Sequence, residues 1–235
     1  MDKKYIGSEL ELFKHVHNWK KYFGKLIKPY LTGRVLEVGA GIGSTTQIIC
    51  DGNQEKWICL EPDVNLSKQI KTKILKNQLP KCCVVINGTI NDIKNDIFDA
   101  ILYIDVLEHI ENDCYEIESA SKHLAENGVL IVMVPAYQWL YSPFDKAIGH
   151  LRRYNKNRLK NIAPSCLRLC KIMYLDSVGV LLSSANKILL KQSCPKISQL
   201  HFWDNFIIPL SKIFDPLNKY SIGKSLLAIW RKNSS

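Results

Sequence analysis

Three glycines alternate at Gly39, Gly41 and Gly43 in the segment Arg34-Val-Leu-Glu-Val-Gly-Ala-Gly-Ile-Gly-Ser-Thr-Thr46, after an apolar run that carries Glu37. Glycine at this spacing lets backbone approach a ligand closely, and the apolar run leading into the turn has the length of a strand. A second apolar run, Trp57 to Leu60, ends in Glu61, followed by Pro62 and Asp63. An acid about twenty residues after such a turn is placed to accept hydrogen bonds from the two hydroxyls of a ribose. Spacing separates the candidate ligands. A dinucleotide fingerprint sets its third glycine five residues after its first, and Ser44 stands there. The oxidoreductase reading fails on that residue.

Two further segments hold groups that could do chemistry. Tyr103-Ile-Asp-Val-Leu-Glu-His-Ile110 sets Asp105, Glu108 and His109 at the end of another apolar run. Glu108 and His109 could serve a metal, but with no second histidine nearby none is expected, and His109 is read as orienting its loop by hydrogen bonding. The other segment runs from Pro135 to Tyr154, passes Tyr137, Trp139, Tyr141 and Phe144, and ends His150-Leu-Arg-Arg-Tyr154. A loop of about twenty residues in a compact domain is usually functional. His150 is the candidate general base, because an imidazole takes a hydroxyl or amine proton near neutral pH. Arg152 and Arg153 could fork onto a phosphate or carboxylate. Tyr137 and Asp145 are read as orienting an acceptor, with Tyr141 and Tyr154 among its contacts. The competing reading has Arg-Arg-Tyr capping the next helix and pairing with acids.

The elements that position these residues alternate. Ser8 to Tyr30 has the spacing of an amphipathic helix, with Phe13, Val16, Trp19, Tyr22, Phe23, Leu26, Ile27 and Tyr30 on one face. Then come strand 34–39, helix 43–51, strand 57–61, helix 63–76 with Asp63 as N-cap, and strand 82–87. Strand 98–104, helix 112–125 and strand 128–134 follow, the last entered through the turn Glu126-Asn-Gly128. Such alternation predicts an α/β, doubly wound parallel sheet, with the ligand at the carboxyl ends of the strands. Leu169 to Tyr174 and Ser225 to Arg231 read as two more strands. The stretch between them, about 176–223, is long for a connection and shows helical spacing at 178–190 and 205–214.

At 235 residues and 46% hydrophobic content the chain fits one domain: an N-terminal helical segment 1–30 and a domain 31–235 with a helical insertion. Nothing at Met1-Asp-Lys-Lys reads as a signal peptide, and the longest apolar stretch, from Val129, falls short of the ~20 residues of a membrane span. Of eight cysteines, none forms a C-x-x-C pair; Cys50, Cys59, Cys82 and Cys83 read as small buried hydrophobes of a reducing, cytoplasmic chain. The net charge of +10 is uneven. Residues 1–30 carry seven basic and three acidic residues, 31–150 carry ten and sixteen, and 151–235 carry fifteen and three. The strongly basic last part suggests an anionic partner: a phosphate on a substrate, a lipid surface or nucleic acid. A lysine-rich solvated face is the alternative.

The pattern Glu37-x-Gly-x-Gly-x-Gly43 resembles motif I of class I S-adenosylmethionine-dependent methyltransferases, and Asp105-Val-Leu-Glu-His-Ile110 resembles the stretch after the fourth strand of many small-molecule members. Gly149-His-Leu-Arg-Arg-Tyr154 resembles a bacterial subgroup often linked to polysaccharide or cell-envelope synthesis, over nearly the whole chain. The resemblance implies a Rossmann-like seven-stranded sheet of order 3-2-1-4-5-7-6 with strand 7 antiparallel. It implies that S-adenosyl-L-methionine meets Glu37, Gly39, Ala40, Gly41 and Gly43 on its methionine and ribose side and Glu61 and Pro62 at the ribose. Asn87, Gly88 and Thr89 fall at the adenine position, and Asp105 and Val106 lie beside the methionine moiety. The expected reaction is O-methylation of a glycan, lipid-linked precursor or other small metabolite. A nucleic-acid methyltransferase is the alternative enzyme. It is disfavoured because Val134-Pro-Ala-Tyr137 is not the tetrad that positions an exocyclic base amine. A non-catalytic cofactor-binding partner is the alternative of another class. The insertion is open to three readings: acceptor lid, dimer interface or peripheral contact with the inner membrane face. Monomer and homodimer both remain open.

Overall fold

The computed structural model describes residues 9–185 and 196–234. Seven strands form one sheet: β1 (Arg34–Val38), β2 (Lys56–Glu61), β3 (Cys83–Asn87), β4 (Phe98–Ile104), β5 (Leu124–Pro135), β6 (Leu167–Leu175) and β7 (Ser225–Lys232). Their order is β3-β2-β1-β4-β5-β7-β6, and β7 runs antiparallel to both neighbours. The expected topology is met strand for strand. The chain reverses its direction of winding between β1 and β4, which opens a crevice at their carboxyl ends.

The helices are α1 (Glu9–Phe13), α2 (Asn18–Ile27), α3 (Thr46–Ile49), α4 (Val64–Leu75), α5 (Asp113–Lys122), α6 (Pro143–Ala147), α7 (Lys156–Asn161), α8 (Ser177–Ala185), α9 (Ile197–Phe202) and α10 (Ile208–Leu217). Asp63 caps α4, its carboxylate accepting from the N–H groups of Asn65 and Leu66. The central strands are buried on both faces. Val35, Leu102 and Ile131 pack on the side covered by α2, while Leu36, Ile101 and Leu130 pack beneath α5 and α7.

Three boundaries differ from expectation. The N-terminal helix is broken between α1 and α2, because the N–H groups of His17, Asn18 and Trp19 donate to Asp204, which starts a new helix there. The helix expected over 43–51 keeps only the four residues of α3, since Gly43 holds a left-handed φ of 70°. The turn at 126–128 is a kink inside a longer β5, with Asn127 at φ 60° and a register shift between Phe98 and Ala100. The helical stretch 178–190 begins as α8, and its part after 185 lies outside the described residues, as does Ser8. In the insertion, α9 adds a helix, joined to α10 by the π-helical turn Trp203–Ile207.

Charge in the insertion is sorted by depth. Asp176, Asp204 and Asp215, the three acids after residue 150, are all buried. Asp176 accepts from Trp203 Nε1 and Ser211 Oγ. Asp215 accepts from Tyr22 Oη and the N–H groups of Asp176 and Ser177. Among the described residues of the insertion, Lys196 and Lys219 are exposed and Lys212 is half-buried, while the acids lie inside.

Candidate active site

The glycine turn is held by its neighbours. Gly39, Gly41 and Gly43 all adopt left-handed φ, of 68°, 59° and 70°. A Cβ on Gly39 would come 2.6 Å from Val106, and one on Gly41 would project toward Leu10, 3.5 Å away. The Gly41 N–H donates to Glu61 Oε2 at 2.8 Å, and Glu61 Oε1 accepts from the Asp63 N–H at 2.9 Å. Burial pushes the Glu61 carboxyl up to about 7 against those two bonds. Glu37 is buried behind the turn and accepts from Thr46 Oγ1 (2.6 Å) and Trp57 Nε1 (2.9 Å). Burial raises its carboxyl to about 7 as well. Glu37 therefore braces the turn from below, and both carboxylates border the cavity.

That cavity measures about 1350 Å³ and is lined by Glu37, Gly39, Ala40, Gly41, Glu61, Pro62, Gly88, Thr89, Asp105 and Val106. Pockets for one small ligand run to roughly 300–1,000 Å³, so the space suits two occupants. Two cofactor expectations shift. Asn87 donates from Nδ2 to the carbonyls of Glu61 and Pro62, which makes it a brace for the end of β2; Asn91 lines the cavity nearby. Gly43 packs toward Ile70 and Leu79 rather than the cavity, shaping the turn from its far side.

The loop after β5 folds around one carboxylate. Asp145 is fully buried and takes Arg153 bidentately, Nε to Oδ1 and Nη2 to Oδ2, both at 2.9 Å. Ser142 adds its N–H and Oγ in a capping box for α6. His150 Nδ1 completes the set at 2.9 Å from Oδ1. Burial alone would raise the Asp145 carboxyl, but the bonds and charges of His150, Arg153 and Ser142 hold it well below the carboxylate range. Asp145 orients the ring through Nδ1 and turns His150 Nε2 toward Glu108. That nitrogen lies 3.6 Å from Glu108 Oε1. The His109 ring meets His150 edge-on, centroids 4.7 Å apart, and burial lowers the His109 pKa to about 4. The second histidine that sequence spacing did not supply is therefore present in space.

Four residues expected at the acceptor make contacts within the fold and stand outside the lining of the cavity. Arg152 donates to Asp113 Oδ2 and the Glu111 carbonyl, and Tyr154, fully buried, donates to Asp113 as well. Both side chains pin the loop to α5, which is the competing structural reading. Tyr141 donates to the His150 carbonyl at 2.6 Å. Tyr137, at φ 61°, stacks on Tyr174 with centroids 4.8 Å apart, outside the cavity wall. Arg153, Asp145 and His150 do reach that wall.

Asp105 shares the cavity. It holds a left-handed φ of 54°, a strained conformation for this residue, anchored by its N–H donating to the Met133 carbonyl. It is accessible from the cavity yet deep in the protein, and burial raises its carboxyl to about 6. Sequence reasoning missed three groups here. Lys20 Nζ crosses from α2 to Ser44 Oγ (3.0 Å), with its pKa lowered to about 8 by burial. Lys224 lies over the Trp203 ring at 3.8 Å, and Phe13 closes the cavity from the N-terminal side. Lys20 is buried on α2, which lies so close to α3 that a Cβ on Gly24 would come 2.8 Å from Ile49.

The family model for the methyltransferase domain matches residues 22–186, more than half of the chain. The chain belongs to the methyltransferase family. Solved structures agree on the fold. Coclaurine N-methyltransferase bound to N-methylheliamine and SAH superposes with a TM-score of 0.63 at 13% identity, over 98% of this chain and 83% of that one. The N-methyltransferase NodS from Bradyrhizobium japonicum gives 0.55 at 12%, over 97% and 98%. The [4+2]-cyclase SpnF gives 0.65 at 12%, over 92% and 81%, so the fold by itself does not choose the reaction. No curated protein sequence matches the chain. The residues present fit S-adenosylmethionine, the cofactor of this methyltransferase: Gly41 leaves room that a Cβ would take from the cavity, and Glu61 offers a carboxylate beside it.

Proposed function

We propose that this methyltransferase methylates a hydroxyl on an amphiphilic, lipid-linked acceptor at an anionic membrane surface. One observation carries the reading. The cavity that begins at the glycine turn runs on to Leu182 and Phe202, which belong to an exposed apolar face. That face continues through Phe206, Leu210, Ile213, Phe214 and Leu217, with Phe206 62% and Leu217 73% exposed. Spacing of i, i+3, i+4 and i+7 along α10 puts the last four on one side. Lys196, Lys212 and Lys219 flank it, and the nearby acids Asp204 and Asp215 are buried. An apolar stripe edged by lysines suits anionic headgroups. No helix among the described residues is long and apolar enough to cross a membrane, so the contact is interfacial.

S-adenosylmethionine, once bound, supplies a methyl group on positively charged sulfur, and transfer leaves a neutral thioether. The protein's part is to place the acceptor oxygen and remove its proton. Gly39 to Gly41 and Glu61 hold the cofactor end. Asp105, His109 and His150 face the acceptor end, where a hydroxyl gives up its proton. α1 and α2 close over the turn and exclude water.

The test uses S-adenosylmethionine labelled in its methyl group with a cell-envelope preparation, extracted afterwards into organic solvent. Label in the lipid-soluble fraction is expected. Label confined to water-soluble products would overturn the lipid-linked acceptor and leave a soluble small molecule.

A further inference from the structure

We propose that Glu108, His109 and His150 form a binding site for one divalent first-row cation, which the cluster presents to the acceptor hydroxyl. The inference rests on the hydroxyl-acceptor reading for its role, but not for the site itself. Among the described residues, neither oxygen of Glu108 has a hydrogen-bond partner, although the side chain is fully buried. A buried carboxylate without donors is costly, and a bound cation removes the cost.

The donor set is built for a metal. One ligating atom from each of Glu108, His109 and His150 lies within 4.8 Å of the others, and His150 Nε2 is 3.6 Å from Glu108 Oε1. Ligands about 2.0–2.2 Å from a metal sit roughly 3–3.5 Å apart, so closure needs shifts of about an ångström or less. The outer contacts are in place too. Asp145 receives His150 Nδ1 and is itself fixed by Arg153 and Ser142, the carboxylate–histidine arrangement that aims the opposite nitrogen at a metal. Two imidazoles and one carboxylate suit Mn²⁺ or Zn²⁺ rather than Mg²⁺, and leave positions open toward the cavity that His109 and His150 line.

A hydroxyl oxygen on the open side is acidified by the cation. Its proton passes to Asp105, which faces the same cavity, and the oxygen bonds to the methyl carbon as the carbon–sulfur bond breaks. His150 is then a ligand, and its earlier assignment as base gives way.

Titration of metal-free protein with Mn²⁺, followed by electron paramagnetic resonance, should show one site per chain. Glu108→Gln should weaken binding at least tenfold, and so should His109→Ala, whose partly exposed ring makes it the safer variant to fold. With chelator, methyl transfer should fall at least 100-fold and return with Mn²⁺ or Zn²⁺. Absence of a stoichiometric site in the wild-type protein overturns the proposal, as does full Mn²⁺ binding in a folded His109→Ala variant. Methyl transfer unaffected by chelator also overturns it, while leaving the methylation reading intact. Stoichiometric Mn²⁺ with no lipid-soluble methylation product supports the site and counts against the acceptor reading alone.

Discussion

The Trp19 N–H donates to Asp204 Oδ1 at 2.9 Å, across 185 residues of sequence. The N–H groups of His17 and Asn18 donate to the other oxygen, so one buried carboxylate takes the first turn of α2. Trp19 also packs against Trp203, with centroids 5.9 Å apart. The N-terminal segment and the insertion are therefore one cover over the glycine turn, built from opposite ends of the chain.

Asp204→Ala should loosen that cover. Three N–H groups, that of Trp19 buried, lose their acceptor, which is expected to lower stability by about 1–3 kcal/mol. Hydrogen exchange should rise first in α2, and S-adenosylhomocysteine affinity should fall with it. Unchanged protection in α2 would show that Trp19 packing alone holds the cover.

Glu61 links cofactor affinity to pH. Glu61→Ala should weaken S-adenosylhomocysteine binding by about 1.5–3 kcal/mol, read by calorimetry. The folded protein holds this carboxyl near 7 against an ordinary 4.5, with Asp63 opposing its ionisation. The fold thus binds that proton more tightly than the unfolded chain, and this contribution to stability is lost as pH rises from about 4.5 to about 7. Cofactor binding has the opposite sign, because ribose hydroxyls donate to the ionised form. Affinity should rise up to tenfold from pH 6 to pH 8. A slope that survives in Glu61→Gln would assign the linkage to another group.

The cofactor half of the site was legible in the sequence because it is local. Glycine spacing fixes the turn, strand length fixes Glu61, and α/β alternation fixes the side of the sheet where both meet. The acceptor half depends on contacts between distant residues. Nothing in the spacing of Glu108 and His109 announces that His150 will come against them; the Asp145 knot, made by five donors from Ser142, His150 and Arg153, and the Leu151 N–H donating to the Glu108 carbonyl hold the loop that way. The contacts of Arg152 and Tyr154 were hidden for the same reason. Their partner Asp113 is 39 and 41 residues away, on an element that the sequence placed but could not orient.

Arg152→Ala now separates the two readings of the basic triplet. With Arg152 tied to Asp113, the change should cost about 1–3 kcal/mol of stability and leave the acceptor KM within about twofold. His150→Ala, which removes a ligand of the proposed cation, should instead lower turnover on the order of 100-fold while sparing S-adenosylhomocysteine affinity. A large rise in KM for folded Arg152→Ala would return that guanidinium to the acceptor site.

The apolar face gives the last prediction. Phe206 stacks on Phe202 with centroids 5.4 Å apart, and both stand in the open where the cavity emerges. Vesicles rich in anionic lipid should bind the protein at low salt, and binding should weaken steeply as salt rises, since screening shortens the reach of each lysine. Apolar insertion adds a part that salt does not remove. Phe206→Asp should therefore reduce binding at every salt concentration, whereas Lys212→Gln should reduce it chiefly at low salt. Circular dichroism of both variants should be unchanged, because neither side chain carries a buried contact of the fold. If vesicles of any charge leave the wild-type protein in solution at low salt, the face is an interface between proteins, and sedimentation will then show the dimer that covers it.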